Sequence, residues 1–510
     1  MLLTDVLLLD VLSVITAILA VGYAYLKWTQ QYWKRKGVPY IEPSPLFGGS
    51  KSEVKNARDG AVDIYKTAKA NGWRHVGIYR LTNCIYIPID VELVKHILTK
   101  DFGYFIDRGL YVNERDDPLG VNLFFLSGQK WRNLRAKLSP TFTSGKLKAM
   151  FQTLVDCGLV MEKYIDENVN ISEPVDIKEI LANFSTDIIG TCAFGIDCNS
   201  FKEPNSPFRA TSKRFFFRTK LERYKSAIAM TFPKLARALR IVINNPEVSS
   251  FYGKVVEDTI HYRLKNNVRR KDLLQMLIDM MIDEKNQEDG QSDGGLTMTE
   301  IAAQCFLFFI AGFETSSTTM TFALFELAKH PKCQEKVRDE LKRVLAKHGD
   351  QVTYDALGDM KYMSQVIDET LRLYPPLATL MRQCVKDYKV PGEDVVIEKG
   401  TKVLIPVLGP QMDEEFYENP KEFNPDRFDE DKRKKIPQYA HLPFGEGPRI
   451  CIGERFGVME SKVGLTCILR NFKVSLNEKT KLPMKLDPRN LIPAVEGGVW
   501  LNLHKLESKI

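Results

Sequence analysis

The first long apolar run of the chain extends from Val6 to Leu26, with Asp10 near its start. About 20 apolar residues are needed for a helix to cross the hydrocarbon core of a bilayer. Aromatic residues typical of a membrane–water interface follow the run: Trp28, Tyr32 and Trp33. Because basic residues come next, at 34–36, we expect a single span whose carboxyl side lies in the cytoplasm.

The same run could instead be a cleaved signal peptide, but signal peptides begin with basic residues, and no Lys or Arg precedes this run. We therefore divide the chain into an anchor at 1–27, a basic and proline-rich hinge at 28–50 and a folded body at 51–510. The hinge is predicted to be stiff and extended because of its prolines: Pro39, Pro43 and Pro45.

Apolar alternation predicts a β-hairpin in WRHVGIYRLTNCIYIPID, where LTN separates two runs that carry Val76, Ile78, Ile85 and Ile87. From about residue 140 to about residue 380 the apolar spacing is mostly helical. Short extended pieces return near 385–407 and at the carboxyl end. The sequence therefore predicts a mainly α protein with small β-sheets.

A second long apolar pattern begins at Thr297 and ends before Pro331, where proline stops the helix. Thr297 and Glu300 form a T-x-x-E capping box at its start. The pattern is apolar nearly all round, which predicts a helix through the middle of the body. Its polar centre, at 312–318, predicts a local distortion of the helical hydrogen bonds. A hydrogen-bonded kink in the core and a proton-handling site are both compatible with this cluster.

Composition limits the class of protein. The 510 residues, 44% hydrophobic and 27% charged, are enough for a large core. The formal net charge of +7 is mild for this length, and the chain has neither a basic tail nor zinc-finger spacing. We therefore expect a basic face and no nucleic-acid binding. The nine cysteines are scattered and never form C-x-x-C, a pattern typical of a reducing compartment.

One cysteine has an unusual setting, in the stretch FGEGPRICIG at 444–453. Glycine and proline predict a loop that holds Cys451 just ahead of a helix. The helix dipole and Arg449 would favour the thiolate, which can act as a nucleophile or as a metal ligand. A cysteine hydrolase would also need a histidine, and none of the seven histidines lies in a promising motif. Zinc and iron–sulfur sites need more cysteines nearby, whereas haem can take one thiolate as its only protein ligand.

The loop resembles the haem loop of the cytochromes P-450, the haem–thiolate monooxygenases, whose pattern is F-x-x-G-x-R-x-C-x-G. Every fixed position is filled: Phe444, Gly447, Arg449, Cys451 and Gly453. Other stretches resemble further family motifs in the family's order: WRNLR at 131–135, AGFETS at 311–316, ETLR at 369–372 and NPDRF at 424–428. The loop and the central helix resemble insect members of family six. The resemblance implies the cytochrome P-450 fold and makes 51–510 the catalytic domain.

The resemblance also implies residues that bind haem b. Cys451 would be the proximal ligand of the iron, and Phe444 would pack on the thiolate side of the porphyrin. Planar guanidinium groups suit carboxylates. The implied donors to the haem propionates are Trp131, Arg135 and Arg449, joined by Arg108 and Arg382.

Two further groups of residues resemble family elements. Glu369, Arg372 and Arg427 would form a buried ion-pair network that braces the core, since Glu and Arg three residues apart share a helix face. Thr315 and Glu314 resemble the pair that delivers protons during oxygen activation. We therefore expect a structural role for the first group and a catalytic role for the second.

Apolar and aromatic side chains are expected to form a pocket over the haem, which implies lipophilic substrates. The predicted wall residues are Phe124, Phe125, Leu307, Ile310, Ala311, Leu377, Leu380 and Val495. The segment 209–240 mixes aromatic and basic residues, and we expect it to touch the membrane.

The chain carries no flavin or nicotinamide fingerprint. The resemblance therefore implies electrons from NADPH through a separate NADPH–cytochrome P-450 reductase, docked on basic residues such as Lys137, Lys146 and Lys148; a need for cytochrome b5 stays open. It implies a microsomal enzyme of the endoplasmic reticulum membrane that inserts one oxygen atom of O2 into lipophilic compounds such as plant toxins or insecticides. The alternatives are a hydroxylase of hormones or lipids, an isomerase or dehydratase with the same haem, and a non-catalytic haem-binding protein.

Overall fold

The computed structural model describes residues 2–44, 57–168, 173–203, 206–216, 219–285, 296–488, 490 and 492–506. Within them the protein is mostly helical, which confirms the predicted fold class. Pro45 of the predicted hinge lies outside the described residues. The helices are α1 (Leu2–Thr29), α2 (Tyr32–Arg35), α3 (Ala57–Ala70), α4 (Val91–Lys95), α5 (Gly128–Leu138), α6 (Ser144–Asn168), α7 (Ile177–Ile189), α8 (Pro207–Phe216), α9 (Lys220–Thr231), α10 (Pro233–Ala238), α11 (Pro246–Asn266), α12 (Leu273–Lys285), α13 (Met298–Lys329), α14 (Pro331–Lys347), α15 (Tyr354–Asp359), α16 (Lys361–Leu373), α17 (Leu408–Gln411), α18 (Glu430–Arg433) and α19 (Glu454–Leu469).

The strands form small sheets. They are β1 (His75–Arg80), β2 (Asn83–Pro88), β3 (Val175–Asp176), β4 (Thr379–Gln383), β5 (Tyr388–Lys389), β6 (Val396–Ile397), β7 (Lys402–Pro406), β8 (Phe472–Leu476) and β9 (Trp500–Lys505). The strand orders are β1-β2-β7-β4, β3-β9-β8 and β5-β6. The chain divides into two compact units, one of residues 1–109 and 378–410 and the other of residues 110–377 and 411–510.

The first unit contains the predicted hairpin. Val76 pairs with Ile87 and Ile78 with Ile85, in antiparallel register. Strand period places these four side chains on one face, and they are buried against helix α3 through Tyr65 and its neighbours. The hairpin of the sequence analysis is therefore confirmed, with the two strands joined through residues 81–82.

The amino-terminal helix α1 contains the one stretch of the described residues that is long and apolar enough to cross a membrane, Leu9–Thr29, with a mean hydropathy of 1.9. Trp28, in the last turn of this stretch, is exposed. Trp33, predicted to lie at the membrane interface, is instead 1% exposed, and its indole Nε1 donates to the Ile78 carbonyl at 3.1 Å. A Cβ on Gly77 would lie 2.3 Å from the Trp33 ring, so only glycine leaves room for this aromatic side chain. The prediction for Trp33 was wrong because a tryptophan can equally fill a space over a sheet.

The predicted hinge is extended only in part where it is described. Residues 28–29 end α1 and Tyr32–Arg35 form α2, and the proline-bearing part that follows is not a free connector. Gly77 donates its N–H to the Pro39 carbonyl at 2.8 Å, and Ile41 donates to the Gly77 carbonyl at 3.1 Å. Residues 39–41 therefore run alongside strand β1 as part of the first unit. Backbone pairing with the sheet, which no local pattern reveals, removes their freedom.

The second unit is organised around α13. The predicted capping box is present, with Thr297 and Glu300 each bonded to the other's backbone N–H. The helix is continuous, so the expected distortion of its backbone ladder is not observed. Instead, hydroxyls share carbonyls that already belong to the ladder, as when Ser317 Oγ donates to the Phe313 carbonyl at 2.7 Å. Gly312 permits a close approach of α7, because a Cβ there would lie 2.5 Å from Ile189 Cδ1.

Candidate functional site

The loop before α19 presents the thiol of Cys451. Gly445 and Gly447 have φ values of +76° and +75°, a backbone conformation that favours glycine, and they fold the chain into a tight turn. The Cys451 N–H donates to the Phe444 carbonyl at 2.9 Å, which closes the loop just ahead of the helix. All nine cysteines lie in the described residues, and Cys451 alone is exposed. Burial raises the pKa of other thiols such as that of Cys467, so these act as packing groups.

Arg449 and Trp131 form a stacked pair beside this loop. The guanidinium carbon of Arg449 lies 3.9 Å from the centroid of the Trp131 ring, and Arg449 is 3% exposed. Its Nη2 donates to the Leu126 carbonyl at 2.9 Å. A buried, planar cation held over an aromatic ring is well oriented to bind a carboxylate.

Arg135 follows Trp131 by four residues on α5, so both residues share a helix face. Arg135 is half-buried. Burial lowers the pKa of its guanidinium, and the negative charge of a Cys451 thiolate partly opposes this effect. The second unit therefore brings together Trp131, Arg135, Arg449 and Cys451, which the sequence places far apart.

Arg108 and Arg382 belong to the first unit. Arg382, on β4, is 2% exposed, and its Nε has no hydrogen-bond partner among the described residues. Burial, together with the nearby charge of Arg108, lowers the pKa of Arg382 to about 9. A buried cation beside another cation is costly unless an anion compensates it. Arg108 and Arg382 therefore fit an anionic group such as a haem propionate. The stacked Arg449 and Trp131 of the second unit fit the same kind of group.

A strip of α13 is partly open where most of the rest of the helix is buried. Leu307, Ala311 and Thr315 follow each other at four-residue intervals along it, and Ala311 is the most exposed of them. The Thr315 hydroxyl donates to the Ala311 carbonyl at 2.6 Å. A helix that is otherwise core thus turns one apolar face, ending in a hydroxyl, toward open space.

Glu314 has a partner that the sequence analysis missed. Lys178, in the first turn of α7, places its Nζ 3.0 Å from Glu314 Oε1. The same ammonium donates to Ser317 Oγ and Thr318 Oγ1, each at 2.8 Å. Burial lowers the pKa of Lys178, and the Glu314 carboxylate opposes that effect. The polar centre of α13 is therefore an ion-paired cluster, and the only signal for it was a lysine within an apolar helical pattern.

The predicted structural network is assembled as an ion-paired group. Glu369 and Arg372, both fully buried, are joined by two bonds of 2.6 and 2.8 Å, and Arg427 Nε lies 3.3 Å from Glu369 Oε1. Arg372 Nη1 also donates to the carbonyls of Gln411 and Pro420, at 2.8 and 2.7 Å. The network therefore ties α16 to the segment that leads into the thiol loop.

The predicted pocket residues are found in both units. Leu380 lies on β4 of the first unit, and the remainder are in the second. Phe124 and Phe125 are half-buried, with ring centroids 5.4 Å apart. Leu377 and Val495 are also partly exposed, whereas Ile310 is buried. Of the wall candidates on α13, Leu307 and Ala311 are thus the more accessible.

Comparisons with known proteins agree with this arrangement. The family model for cytochrome P450 matches residues 52–498. Cytochrome P450 6a9 of Drosophila melanogaster is 42% identical over 506 residues, which are 98% of this chain and 100% of that protein. Cytochrome P450 6a2 of the same fly is 40% identical over 482 residues, 93% of this chain and 95% of that protein.

Cytochrome P450 6A1 of Musca domestica is 39% identical over 492 residues, 95% of this chain and 96% of that protein. These relatives confirm the resemblance to insect family-six members that the motifs indicated. The match spans nearly the whole chain, including the loop that exposes Cys451. The chain therefore belongs to the cytochrome P450 family, the haem–thiolate monooxygenases.

Proposed function

We propose that this protein inserts one oxygen atom of O2 into lipophilic substrates, with electrons that a separate reductase takes from NADPH. The observation that carries the proposal is the exposed thiol of Cys451 beside a buried Arg449 stacked on Trp131. The substrates that we favour are foreign compounds such as plant toxins or insecticides. Hydroxylation of a hormone or lipid is the second candidate, since the same apolar strip of α13 would accept it.

The residues of this chain hold and orient the cofactor. When bound, haem supplies a reactivity toward O2 that no amino-acid side chain has. We propose that Cys451 gives the sulfur ligand, while Phe444 packs beside it and Arg449 and Arg135 bind carboxylates at the edge of the ring. Trp131 keeps the Arg449 guanidinium in its stacked orientation.

Thr315 and Glu314 are the proposed proton-handling residues. The Thr315 hydroxyl uses its proton to bond the Ala311 carbonyl, so its oxygen can still accept a bond from water on the open side of α13. Glu314 is held as an ion pair by Lys178. We propose that Glu314 passes protons toward Thr315 when its carboxylate exchanges Lys178 for water.

The electron source can be tested directly. Exposed lysines at 146 and 148 on α6 offer a basic surface for an acidic partner. The purified protein would be incubated with 7-ethoxycoumarin as a lipophilic reporter, with NADPH and reductase added together or separately. Product that requires both supports the proposal. Product without NADPH would contradict the proposed electron source. Conversion of a lipid hydroperoxide without NADPH or reductase would instead indicate an isomerase or dehydratase, and normal haem loading with neither reaction would indicate a haem-binding protein.

Thr315→Ala is expected to uncouple NADPH use from product formation. The variant should still load haem and accept electrons, but removal of a positioned hydroxyl should slow the proton-assisted step by about 10²–10⁴-fold. Reduced oxygen would then leave as peroxide. The measurement is the ratio of product to NADPH consumed, with peroxide assayed in parallel.

Thr321→Ala is the matched control for this variant. Thr321 makes the same kind of bond, from its hydroxyl to the Ser317 carbonyl at 2.7 Å, but it is buried away from the open strip. Its loss should leave the ratio unchanged. Equal coupling in the two variants would reject a proton-handling role for Thr315.

Membrane attachment is proposed to have two parts. Besides α1, exposed apolar side chains lie on and just after α9 and α10, among them Leu221, Tyr224, Leu235 and Leu239. They alternate with basic residues, a composition typical of helices that lie in a membrane interface. With the basic residues after α1, this favours a body on the cytoplasmic face of the endoplasmic reticulum.

Deletion of residues 1–27 is therefore expected to release only part of the protein from membranes. Adding Leu235→Asp and Leu239→Asp should release the rest, because charge opposes insertion of this surface. Leu159 and Val160 are exposed on α6 and serve as matched controls when changed to Asp. The measurement is the fraction that sediments with microsomes; full retention of the truncated double variant would contradict the second attachment.

A further inference from the structure

Residues 119–126, here called the wall loop, carry Phe124 and Phe125 and precede α5. The loop is fastened internally by the buried Asn122, whose Nδ2 donates to the Leu119 carbonyl at 2.7 Å. The Asn122 Oδ1 accepts the N–H groups of Phe124 and Phe125, at 3.0 and 3.3 Å. The side-chain amide thus fixes the turn itself.

A second residue fastens the wall loop to the central helix. Gln304 lies on α13, one turn before Leu307, and is completely buried. Its Oε1 accepts the Leu123 N–H at 2.9 Å, and its Nε2 donates to the Val121 carbonyl at 3.1 Å. Nε2 also donates to the carbonyl of Glu300 on its own helix, at 3.1 Å. The Gln304 amide therefore bonds the helix and both sides of residue 122 in the loop.

A third fastening lies at the other end of the wall loop. The Leu126 carbonyl accepts the bond from Arg449, two residues before the proposed sulfur ligand. Phe124 and Phe125 therefore lie between two points where the backbone is held, one on α13 and one on the thiol loop. Because its backbone is hydrogen-bonded at both ends, the wall loop cannot shift freely to accommodate different ligands.

We propose that Gln304 is a specificity-determining positioning residue. It is buried and touches no substrate; it sets the distance of Phe124 and Phe125 from the open strip of α13. The inference rests on the proposed function, in which this strip and these aromatic rings enclose a lipophilic substrate. Gln304 would then affect which lipophilic substrates fit by fixing the position of the two aromatic rings, without contacting the substrate itself.

The chain contains a matched control for this role. Gln334 on α14 is also buried; its Oε1 accepts the Val474 N–H at 2.9 Å, and its Nε2 donates to the carbonyls of Leu327 and Val474 at 3.1 and 2.9 Å. The bonding pattern is the same as that of Gln304, but it ties α14 and the end of α13 to strand β8. Loss of either amide should therefore cost similar stability.

The test compares Gln304→Met with Gln334→Met in the full-length, haem-loaded protein. Imidazole and 4-phenylimidazole are titrated, and each Kd is taken from the difference spectrum. Imidazole is too small to need the wall, whereas the phenyl group needs it. We expect Gln304→Met to raise the ratio of the 4-phenylimidazole Kd to the imidazole Kd about tenfold, the lower range for losing a methylene-sized contact. Gln334→Met should leave this ratio unchanged.

Hydrogen exchange supplies a measurement that does not depend on ligands. The Leu123 amide should exchange faster in Gln304→Met and normally in Gln334→Met, while the Val474 amide should show the reverse. If Gln304→Met does not fold, Gln304→Asn replaces it, since it stays neutral and keeps an amide but is one methylene too short to bond the helix and the loop together.

Failure of the inference is distinct from failure of the proposed function. A wild-type protein that gives no spectral response to imidazole would overturn the proposed haem site itself. A normal wild-type response, with the same ligand ratio in the Gln304 and Gln334 variants, would leave that site standing and assign Gln304 a purely structural role.

Discussion

Cys451→Ala should abolish the red-shifted carbon-monoxide band of the reduced protein and, with it, all monooxygenase turnover. The sulfur is presented at the end of a closed loop, and every other thiol is at least half-buried elsewhere in the described chain. Donation by a thiolate is what distinguishes this class of haem chemistry from that of histidine-ligated haem. Arg449, two residues away, cannot replace that donor, because it is a cation committed to Trp131 and Leu126.

The measurement is the difference spectrum of the reduced protein with and without carbon monoxide, followed by the product assay. Cys467→Ala is the control, since Cys467 is a buried thiol on the same helix that follows the loop. This variant should keep the band. A normal band in Cys451→Ala would move the ligand to another residue and remove the basis of the proposed site.

Glu369→Gln should destabilise the fold by about 3–5 kcal/mol and lower the fraction of protein that retains haem. Glu369 and Arg372 are both fully buried, and two hydrogen bonds join their side chains. A neutral amide in place of the carboxylate leaves the guanidinium charge without compensation in a place that water cannot reach. Arg427 loses its carboxylate partner in the same network, so the segment before the thiol loop is expected to loosen.

Urea unfolding, with haem absorbance as a second signal, would measure the change in the free energy of unfolding. Glu430→Gln provides the comparison: its side chain is exposed and pairs with Lys434 at 3.7 Å on the surface, where ion pairs contribute little. Similar free energies of unfolding for wild type and Glu369→Gln would show that the buried network is dispensable for stability.

Features that depend on neighbours in sequence could be predicted. The hairpin, the capping box at Thr297 and the Glu369–Arg372 pair all involve partners within a few residues, where strand and helix periods decide which side chains meet. The thiol loop was also predictable, because glycine and proline constrain the backbone locally.

Features that depend on distant partners could not be predicted. Lys178 and Glu314 are 136 residues apart, and the bond from Arg449 to the Leu126 carbonyl spans 323 residues. No periodicity links such positions; they meet only when helices pack. The family resemblance named Glu314 and Arg449, but it did not indicate Lys178 or the tie to the wall loop.

Trp33 is a residue whose environment was predicted wrongly because it depends on a distant partner. An aromatic residue just after an apolar span is typical of a membrane interface, yet the space above Gly77 made it a core residue. Which of the two environments it takes is decided by a glycine that lies on a strand far along the sequence. The choice could not be read from residues 28–36 alone.

An anchor borrowed from another membrane protein could be grafted onto this chain only as far as about residue 28. Thr29, Gln30 and Trp33 are already buried within the first unit, so a later junction would empty the space that the indole fills. The described chain therefore has no free linker between the candidate membrane-spanning helix and the first unit. A change in the tilt of this helix would therefore be expected to tilt the sheet of the first unit with it.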